Sequence, residues 1–235
     1  MAAHNPEFVQ ADTTNRALRS PLPLGALLAT ALLTGCGSST NNVTTKSPTE
    51  ILQASKTAIQ NAQSVTIKSN SALERLTFTS DLRLTRKGGQ GTITLLGIRT
   101  EAIRVDDTVY VKGSPALYRR LEIKPPPAGT WIKAPDNGKL AQTAAFTNLA
   151  AQATRIISSS GNVAKGATTT IEGQPAIELK TEGKLYKGRL YIKTSGEPYP
   201  LKLEKRGRET SHTTFTDWNN TAAPAAPANT TTISR

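Results

Sequence analysis

The sequence is short of cysteine, histidine and aromatic side chains, and each shortage excludes a class of protein. It has one cysteine in 235 residues, which rules out an internal disulfide scaffold. One cysteine and two histidines, His4 and His212, are too few for a Cys/His zinc site. No apolar run reaches the roughly 18 residues of an ordinary membrane span. We therefore expect one large or two small globular domains without a metal site.

The first 36 residues have the pattern of a bacterial lipoprotein signal. Two arginines precede an apolar stretch over residues 21–33, which ends in Leu33-Thr-Gly-Cys36. This tetrapeptide resembles the lipobox, where a signal peptidase cuts before a cysteine that carries diacylglycerol. The alternative is a buried helix with an incidental free thiol. We expect a signal peptide over residues 1–35 and no cofactor, the covalent acyl lipid on Cys36 being the one attached group.

Composition divides the remaining chain into three parts. A small, polar, uncharged stretch behind the cysteine predicts a lipidated, flexible tether over residues 36–47. Residues 219–235 are rich in Ala, Pro and Thr, with Ile233 as the one bulky apolar residue, which predicts a disordered tail. The folded domain is then expected over residues 48–218. Two acyl chains on Cys36 would hold it stably on the extracytoplasmic face of the bacterial cell membrane.

Hydrophobic periodicity predicts two helices and many strands. Ser47-Pro-Thr-Glu50 is a helix start, and an apolar stripe follows it at helical spacing. A second helix is expected from Lys139 to Ser158, with Gly161 just past its end. Nearly everything else alternates with period two, and Asp106-Asp107 predicts a hairpin turn. The expected fold is α+β, with a large curved antiparallel sheet of nine to eleven strands wrapping around two helices.

No catalytic constellation is legible, so we expect no enzymatic activity. His212 lies in a polar strand with Asp217 as its one nearby acid, and a solvated histidine explains it better than a general base. Asp106 and Asp107 point oppositely in an extended chain, which favours a turn over a carboxylate pair. The glycines of 161–166 lack the Lys and Ser/Thr of a phosphate loop.

The formal charge of +12 belongs wholly to residues 36–235, because the first 35 residues are neutral overall. Half of it lies in one stretch, with Glu197 and Glu204 as its carboxylates. The eight cations there are Lys184, Lys187, Arg189, Lys193, Lys202, Lys205, Arg206 and Arg208. They predict a basic patch facing an anionic membrane, at about 1 kcal/mol per well-placed cation. A charged face that keeps the domain soluble is the alternative, and nucleic acid is not an expected partner.

The order of motifs resembles the LolA-like lipoproteins, in particular the LppX–LprAFG group of bacterial envelope lipoproteins. The resemblance is carried by the lipobox, the helix over 48–63, Thr108–Gly113, Trp131-Ile-Lys133, and residues 188–194 followed by Tyr199-Pro-Leu-Lys202. It covers residues 48–218. It implies a half-barrel, an open curved sheet around helices with an apolar cavity between them. Members of this group carry lipids or glycolipids across the envelope, and no catalytic residue is implied.

The inward apolar side chains could form a lipid cavity or pack against each other as a closed core, and the sequence does not separate the two. The candidates are Ile51, Leu52, Ile59, Ile67, Leu82, Leu84, Ile93, Leu95, Ile103, Val105, Val109, Val111, Phe146, Leu149 and Ile156. The expected function is a monomeric, membrane-anchored lipoprotein that binds or carries lipid or glycolipid. The alternative is a non-enzymatic lipoprotein that senses or binds an envelope protein partner without lipid cargo.

Overall fold

The structure, a computed structural model, describes residues 40–233. The predicted signal peptide and the lipidated Cys36 lie outside the described residues. Residues Ser38–Arg235 form one compact unit. No helix in the described part of the chain has both the length and the apolar character needed to cross a bilayer.

Four α-helices and twelve strands make up the described residues. The helices are α1 Pro48–Asn61, α2 Pro115–Arg120, α3 Ala141–Phe146 and α4 Leu149–Ser158. The first six strands are β1 Ser64–Leu73, β2 Leu76–Thr85, β3 Gly88–Leu95, β4 Ile98–Val105, β5 Thr108–Gly113 and β6 Trp131–Pro135. The others are β7 Asn162–Ile171, β8 Gln174–Gly183, β9 Tyr186–Lys193, β10 Pro200–Gly207, β11 Glu209–Thr216 and β12 Thr230–Thr232.

All twelve strands belong to a single open, curved sheet. Their order is β12-β6-β5-β4-β3-β2-β1-β11-β10-β9-β8-β7. Every neighbouring pair is antiparallel except β12 and β6, which are parallel. The pairing of β1 with β11 joins two meanders that are far apart in the chain. The predicted α+β fold with a large curved antiparallel sheet around helices is confirmed.

The predicted start of α1 is confirmed in atomic detail. The Ser47 backbone N–H donates to the Glu50 carboxylate at 2.8 Å, and the Ser47 hydroxyl accepts from the Glu50 N–H. Two N–H groups that the helix leaves unpaired are thereby satisfied. The hydrogen bonds from Ser47 lower the pKa of Glu50. Behind this capping box, Ile51 and Ile59 are fully buried.

The second predicted helix is in fact two, and one short helix was missed. The helix is interrupted at Thr147, between α3 and α4. The Asn148 side chain then caps α4 by accepting a hydrogen bond from the Ala151 N–H at 2.9 Å. An asparagine that caps a new helix competes with continuation of the old one, and apolar spacing alone does not reveal this. Helix α2 has six residues, too few for a periodic pattern. Gly161 does follow α4, with a φ of 65°.

Apolar side chains form two cores on the face of the sheet that carries the helices. In the main core, α1 and α4 pack against β1–β3 and β8–β11. In the second core, α2 and the start of α3 pack against β5 and β6. The two cores leave a seam between α3, α4 and the middle of the sheet, and this seam holds space on the helix face.

The predicted tether is wrong for the residues that the structure describes. Thr40 pairs with Ser195, and the Asn41 side chain donates to the carbonyls of Lys193 and Gly196 at 3.0 and 2.8 Å. Val43 is buried in the main core. Polar composition suggested a loose segment, but asparagine and threonine here bond to the backbone of the β9–β10 connection. The described residues from Thr40 onward therefore belong to the folded body.

The predicted disordered tail is also wrong over its described part. The Asn219 side chain accepts from the Gln63 N–H at 2.6 Å, and the Thr221 N–H donates to the Ser64 hydroxyl at 2.9 Å. Further on, β12 pairs with the edge strand β6, and Ile233 packs on the second core. Hydrogen bonds to the start of β1 and to the edge strand β6, together with the one apolar contact of Ile233, hold the segment, and a composition rule does not register the hydrogen bonds.

We expect Ile233→Ser to destabilise the domain, because this side chain fastens the tail to the second core. Loss of a half-buried isoleucine contact costs about 1 kcal/mol, which lowers Tm by about 2–4 °C for a domain of this size. Thermal unfolding of the fragment Ser38–Arg235 measures it, with Thr231→Ser as the control on the exposed strand. An unchanged Tm for Ile233→Ser would mean that the tail carries no stability.

Candidate functional site

The two faces of the sheet have different chemistry. The helix face is defined here by Leu82, Leu84, Val109 and Val111, which pack under the helices, and the outer face carries the alternate residues. The hairpin turns of β1–β2, β3–β4, β8–β9 and β10–β11 lie at one end of the sheet, called the mouth end.

Most of the predicted lipid-contacting residues pack into a closed core instead. Nine of them are buried in one of the two cores: Ile51, Ile59, Ile67, Leu82, Leu84, Ile93, Val109, Val111 and Leu149. Leu52, Phe146 and Ile156 are partly buried against the main core. At eight of these nine positions the structure therefore supports a closed core, whereas Ile93 belongs to the main core and also lines an apolar cleft.

Two predicted cavity residues, Ile103 and Val105, lie on the outer face. The register places Ala102 beside Val111 on the helix face, so its neighbour Ile103 points the other way. Alternation in β4 shows that two faces exist but does not show which one is covered. Here the covered set is the less apolar one: Thr100 and Ala102 are buried, and Arg104 donates to the Thr147 carbonyl behind α3.

A cavity of about 330 Å³ remains between α4 and the helix face of β1, β10 and β11. We call it the polar cavity. Its wall includes nine polar residues: Ser69, Ser71, Gln152, Arg155, Ser159, Lys205, Glu209, Ser211 and Thr213. Its apolar lining comes from Phe78, Phe146, Ile156 and Leu203. A cavity is thus present on the helix face, and polar residues outnumber apolar ones in its wall, because β1 and β11 carry hydroxyl side chains on their helix face toward the mouth end.

A buried lysine forms one wall of the polar cavity. The Lys205 side chain is 3% exposed, and its ammonium donates to Glu209 at 2.7 Å and to the Ser159 hydroxyl at 2.9 Å. It also stands 4.1 Å from the centre of the Tyr186 ring. A buried cation is tolerated when its donors are all engaged, as here. The sequence placed Lys205 in a surface basic patch, and that prediction is wrong.

The Ser159–Lys205 contact does not make a nucleophile. The Lys205 nitrogen donates to the Ser159 hydroxyl and does not accept its proton, so this contact is not that of a base with a nucleophile. The Ser159 hydroxyl donates to the Ile156 carbonyl at 2.6 Å, which fixes its proton away from the cavity. The Tyr186 hydroxyl donates to the Ser159 carbonyl, and burial raises the pKa of Tyr186. This network positions hydrogen-bonding groups rather than activating one of them.

The remaining polar groups offer donors and acceptors to a ligand. Ser69 and Thr213 are joined across β1 and β11 by a 2.8 Å hydrogen bond, and Ser211 lies 3.1 Å from Thr213. Arg155 donates to Gln152 at 2.8 Å. Hydroxyl groups that both donate and accept, beside a guanidinium, suit a hydroxyl-rich or anionic group.

Two phenylalanines separate the polar cavity from an apolar cleft. Phe78 of β2 and Phe146 of α3 stack with ring centres 5.5 Å apart, and Arg155 lies 5.3 Å from the Phe146 ring. Beyond this pair lies a cleft of about 110 Å³. Its apolar lining is Ile93, Leu95, Ile98, Leu117, Leu121 and Phe146. Phe146 lines both spaces, and its stacking partner Phe78 lines the polar cavity alone. A polar space and an apolar space therefore meet at Phe146, which is an amphipathic arrangement.

A comparison with solved structures finds proteins of similar architecture. LprF from Mycobacterium bovis matches 78% of this chain and 100% of its own, with a TM-score of 0.54 and 14% sequence identity. The chain has the LolA-like half-barrel fold. The Pseudomonas aeruginosa MucA/MucB complex matches 76% of this chain and 58% of its own, at a TM-score of 0.40 and 17% identity. At such low sequence identity, the similarity between this chain and LprF is evidence for a shared fold alone. No protein-family model matches the sequence, and a search of curated proteins finds no match either.

The cations of the predicted basic patch on this LolA-like sheet are mostly paired. On the outer face, Lys187 lies 3.4 Å from Glu182, Arg189 lies 3.5 Å from Glu178 and Lys202 lies 2.8 Å from Glu204. Arg208 pairs with Glu74 of the β1–β2 turn. The partners come mainly from neighbouring strands, so counting along residues 184–208 missed them. Pairs of this kind contribute about 0–1 kcal/mol each.

His212 lies on the outer face of the LolA-like sheet, away from the polar cavity. Its ring is well exposed and lies 3.8 Å from Glu204. The hydrogen bond from Lys202 lowers the pKa of Glu204, with smaller contributions from the charges of Lys202, His212 and Arg206. Asp106 has a φ of 49° in the β4–β5 turn, which confirms the predicted hairpin.

We expect Glu209→Gln to destabilise the domain by about 1–3 kcal/mol, because it leaves the Lys205 cation without its counter-ion. Lys205→Met removes that charge and keeps an unbranched side chain. In urea unfolding, the double variant Lys205→Met/Glu209→Gln should therefore be more stable than the sum of the two single losses predicts. Strict additivity would show that the pair is not coupled.

Proposed function

We propose that this chain is an envelope lipoprotein that binds an amphipathic lipid or glycolipid between its sheet and helices. The observation that carries the proposal is the polar cavity joined to the apolar cleft at the Phe78–Phe146 wall. The head group of the ligand faces the hydroxyl groups and Arg155, and its apolar part enters the cleft. Diacylglycerol on Cys36 holds the protein on the extracytoplasmic face of the cell membrane.

The dimensions favour a head group in the polar cavity over a pair of acyl chains. Its volume of about 330 Å³ lies at the low end of the usual range for ligand pockets, about 300–1,000 Å³. If acyl chains filled this cavity, the nine polar residues in its wall would lose their hydrogen bonds to water and gain none in return. This cost disfavours acyl chains there.

Entry of an acyl chain requires the apolar cleft to widen, and α3 is the element that can move. It has six residues, no side-chain cap at its start, and the Thr147 break behind it. Short helices depend on packing rather than on their own hydrogen bonds, so a shift of α3 opens the wall at low cost. Phe146, the last residue of α3, moves with it and joins the two spaces.

We expect lipid to co-purify with the fragment Ser38–Arg235 when it is exported to the bacterial envelope behind a cleavable signal peptide, and Ser71→Trp to remove it. Ser71 faces the polar cavity, so an indole there fills space that the head group needs. Asn70→Trp, on the outer face of the same strand, is the matched control. Mass spectrometry of organic extracts should find near-stoichiometric lipid in the wild type and the control. No lipid in repeated preparations would contradict the proposal and favour a protein partner instead.

We expect lipid attachment to depend on Cys36 alone, because the chain has no other cysteine. Cells expressing the full chain are grown with radiolabelled palmitate, and the protein is recovered by immunoprecipitation. The wild type should carry the label and Cys36→Ala should carry none. Label on Cys36→Ala, or none on the wild type, would show that the lipobox interpretation is wrong. This result is independent of whether the cavity binds a ligand.

A further inference from the structure

The mouth end of the sheet displays two exposed leucines. Leu76, where β2 begins, is 52% exposed, and Leu96, in the β3–β4 turn, is 45% exposed. These are the large apolar side chains that stand out to solvent among residues 40–233. The two turns are neighbours, since the Leu96 N–H donates to the Thr77 carbonyl at 3.1 Å.

An apolar track leads from these leucines into the candidate site. Leu76 is the cross-strand partner of Leu73, and Leu95 is the partner of Phe78. Phe78 is half of the aromatic wall between the polar cavity and the apolar cleft. The exposed leucines therefore mark the entrance of the site rather than a random place on the surface.

Leu96 occupies a backbone conformation that does not suit it. Its φ is 51° and that of Gly97 is 76°, a tight hairpin turn that favours Asn or Asp before glycine. At the opposite end, the β7–β8 turn has the same conformation with Glu172 and Gly173, at 49° and 78°. A polar residue stands there, whereas an exposed leucine stands at the mouth. A leucine at position 96 is disfavoured both by the left-handed backbone and by exposure to solvent. Its presence there despite both costs indicates a role at the surface.

Charge is divided between the two ends of the sheet. The mouth end displays the exposed cations Arg75, Arg99, Lys184, Arg206 and Arg208. Its exposed carboxylates are Glu74, which pairs with Arg208, and Glu182, which pairs with Lys187. The turns at the opposite end carry Asp106, Asp107, Glu172 and Glu197 against Arg86 and Lys87. Two exposed leucines with cations around them are complementary to an anionic lipid bilayer. The leucines suit its apolar interior, and the cations suit its anionic head groups.

We propose that this rim, Leu76 and Leu96 with the five mouth-end cations, docks onto an anionic lipid bilayer. The two leucines enter the interfacial region, and the cations contact lipid phosphates. Docking sets the entrance of the site against the bilayer, so that an amphiphile passes along the leucine track without crossing water. The docking surface exists whether or not the cavity takes lipid.

The bilayer that meets the rim is a second one, a step that rests on the proposed anchoring by Cys36. The chain joins the body at Thr40, which pairs with Ser195 at the end opposite the mouth. From Cys36 to Thr40 the chain reaches at most about 14 Å. The eight residues of β9 alone span about 26 Å. With the entrance set end-on against a bilayer, Thr40 therefore stands farther from that bilayer than residues 36–40 can reach, so the bilayer that the rim meets end-on is not the one that holds the lipid anchor.

The docking surface is tested with the fragment Ser38–Arg235, which contains the whole sheet, its helices and no cysteine. Vesicles of phosphatidylcholine with about one third phosphatidylglycerol are the probe, and co-sedimentation is the measurement. We expect binding to these vesicles and several-fold less to pure phosphatidylcholine. Leu96→Asn and Leu76→Ser should each weaken binding several-fold. Lys87→Gln at the opposite end is matched to Arg75→Gln at the rim, and only the rim variant should lose binding.

Leu96→Asn separates a role in docking from a role in folding. Asparagine suits the left-handed backbone better, so this variant should have an unchanged or higher Tm while binding vesicles less. Equal vesicle binding by Leu96→Asn and wild type would overturn the proposal. Equal losses from Lys87→Gln and Arg75→Gln would also overturn it, because binding would then follow net charge and not the rim.

The direction of docking is tested with the fragment Cys36–Arg235, coupled through its one cysteine to maleimide lipid in neutral vesicles. Addition of anionic vesicles should cause clustering, measured by light scattering, and Leu96→Asn should abolish it. Binding of the soluble fragment without clustering by the coupled one would refute a second bilayer while leaving the rim intact. Neither result depends on co-purified lipid, so failure of the lipid-binding proposal is seen separately.

Discussion

The pairing of β1 with β11 is the constraint on which the site depends. These strands are about 145 residues apart in the chain, and eight residue pairs align them from Thr66–Thr216 to Leu73–Glu209. The pairing merges two meanders into one sheet wide enough to curve around α1 and α4. It also sets Ser69 and Ser71 beside Thr213 and Ser211, and so creates the polar wall. A shift by one residue would turn these hydroxyls outward and bury Lys68 and Asn70.

The polar wall changes what a half-barrel of this kind can hold. Where the sheet is fully packed, α1 and α4 close over it and no space remains. Space opens only toward the mouth end, where small hydroxyl side chains line β1 and β11 and Lys205 is buried with Glu209. The aromatic pair Phe78–Phe146 then divides polar from apolar space. A ligand that fits both must itself be amphipathic, and the leucine rim lies at the entrance such a ligand would use.

The fold was predictable from the sequence because its signals are local. Period-two alternation, the Ser47–Glu50 capping box and the Asp106-Asp107 turn each reside within a few neighbouring residues. The site was not predictable, because its members come from distant strands. Ser71 meets Ser211, and Lys205 meets Ser159, only after the sheet forms. The Asn148 cap that splits the second helix had a local signal, an asparagine three residues before a backbone donor. The tail was misjudged because hydrogen bonds and the single contact of Ile233, rather than an apolar pattern, hold it.

The central claim is that an amphiphile binds at the polar cavity and the aromatic wall. The most direct measurement is a titration of isotope-labelled Ser38–Arg235 with a single-chain lysophosphatidylglycerol, followed by NMR of backbone amides. The account predicts saturable shifts at Ser71, Ser211, Lys205, Phe78 and Phe146, with the outer-face residues of the same strands unmoved. Shifts confined to the outer face, or none at saturating ligand, would contradict it.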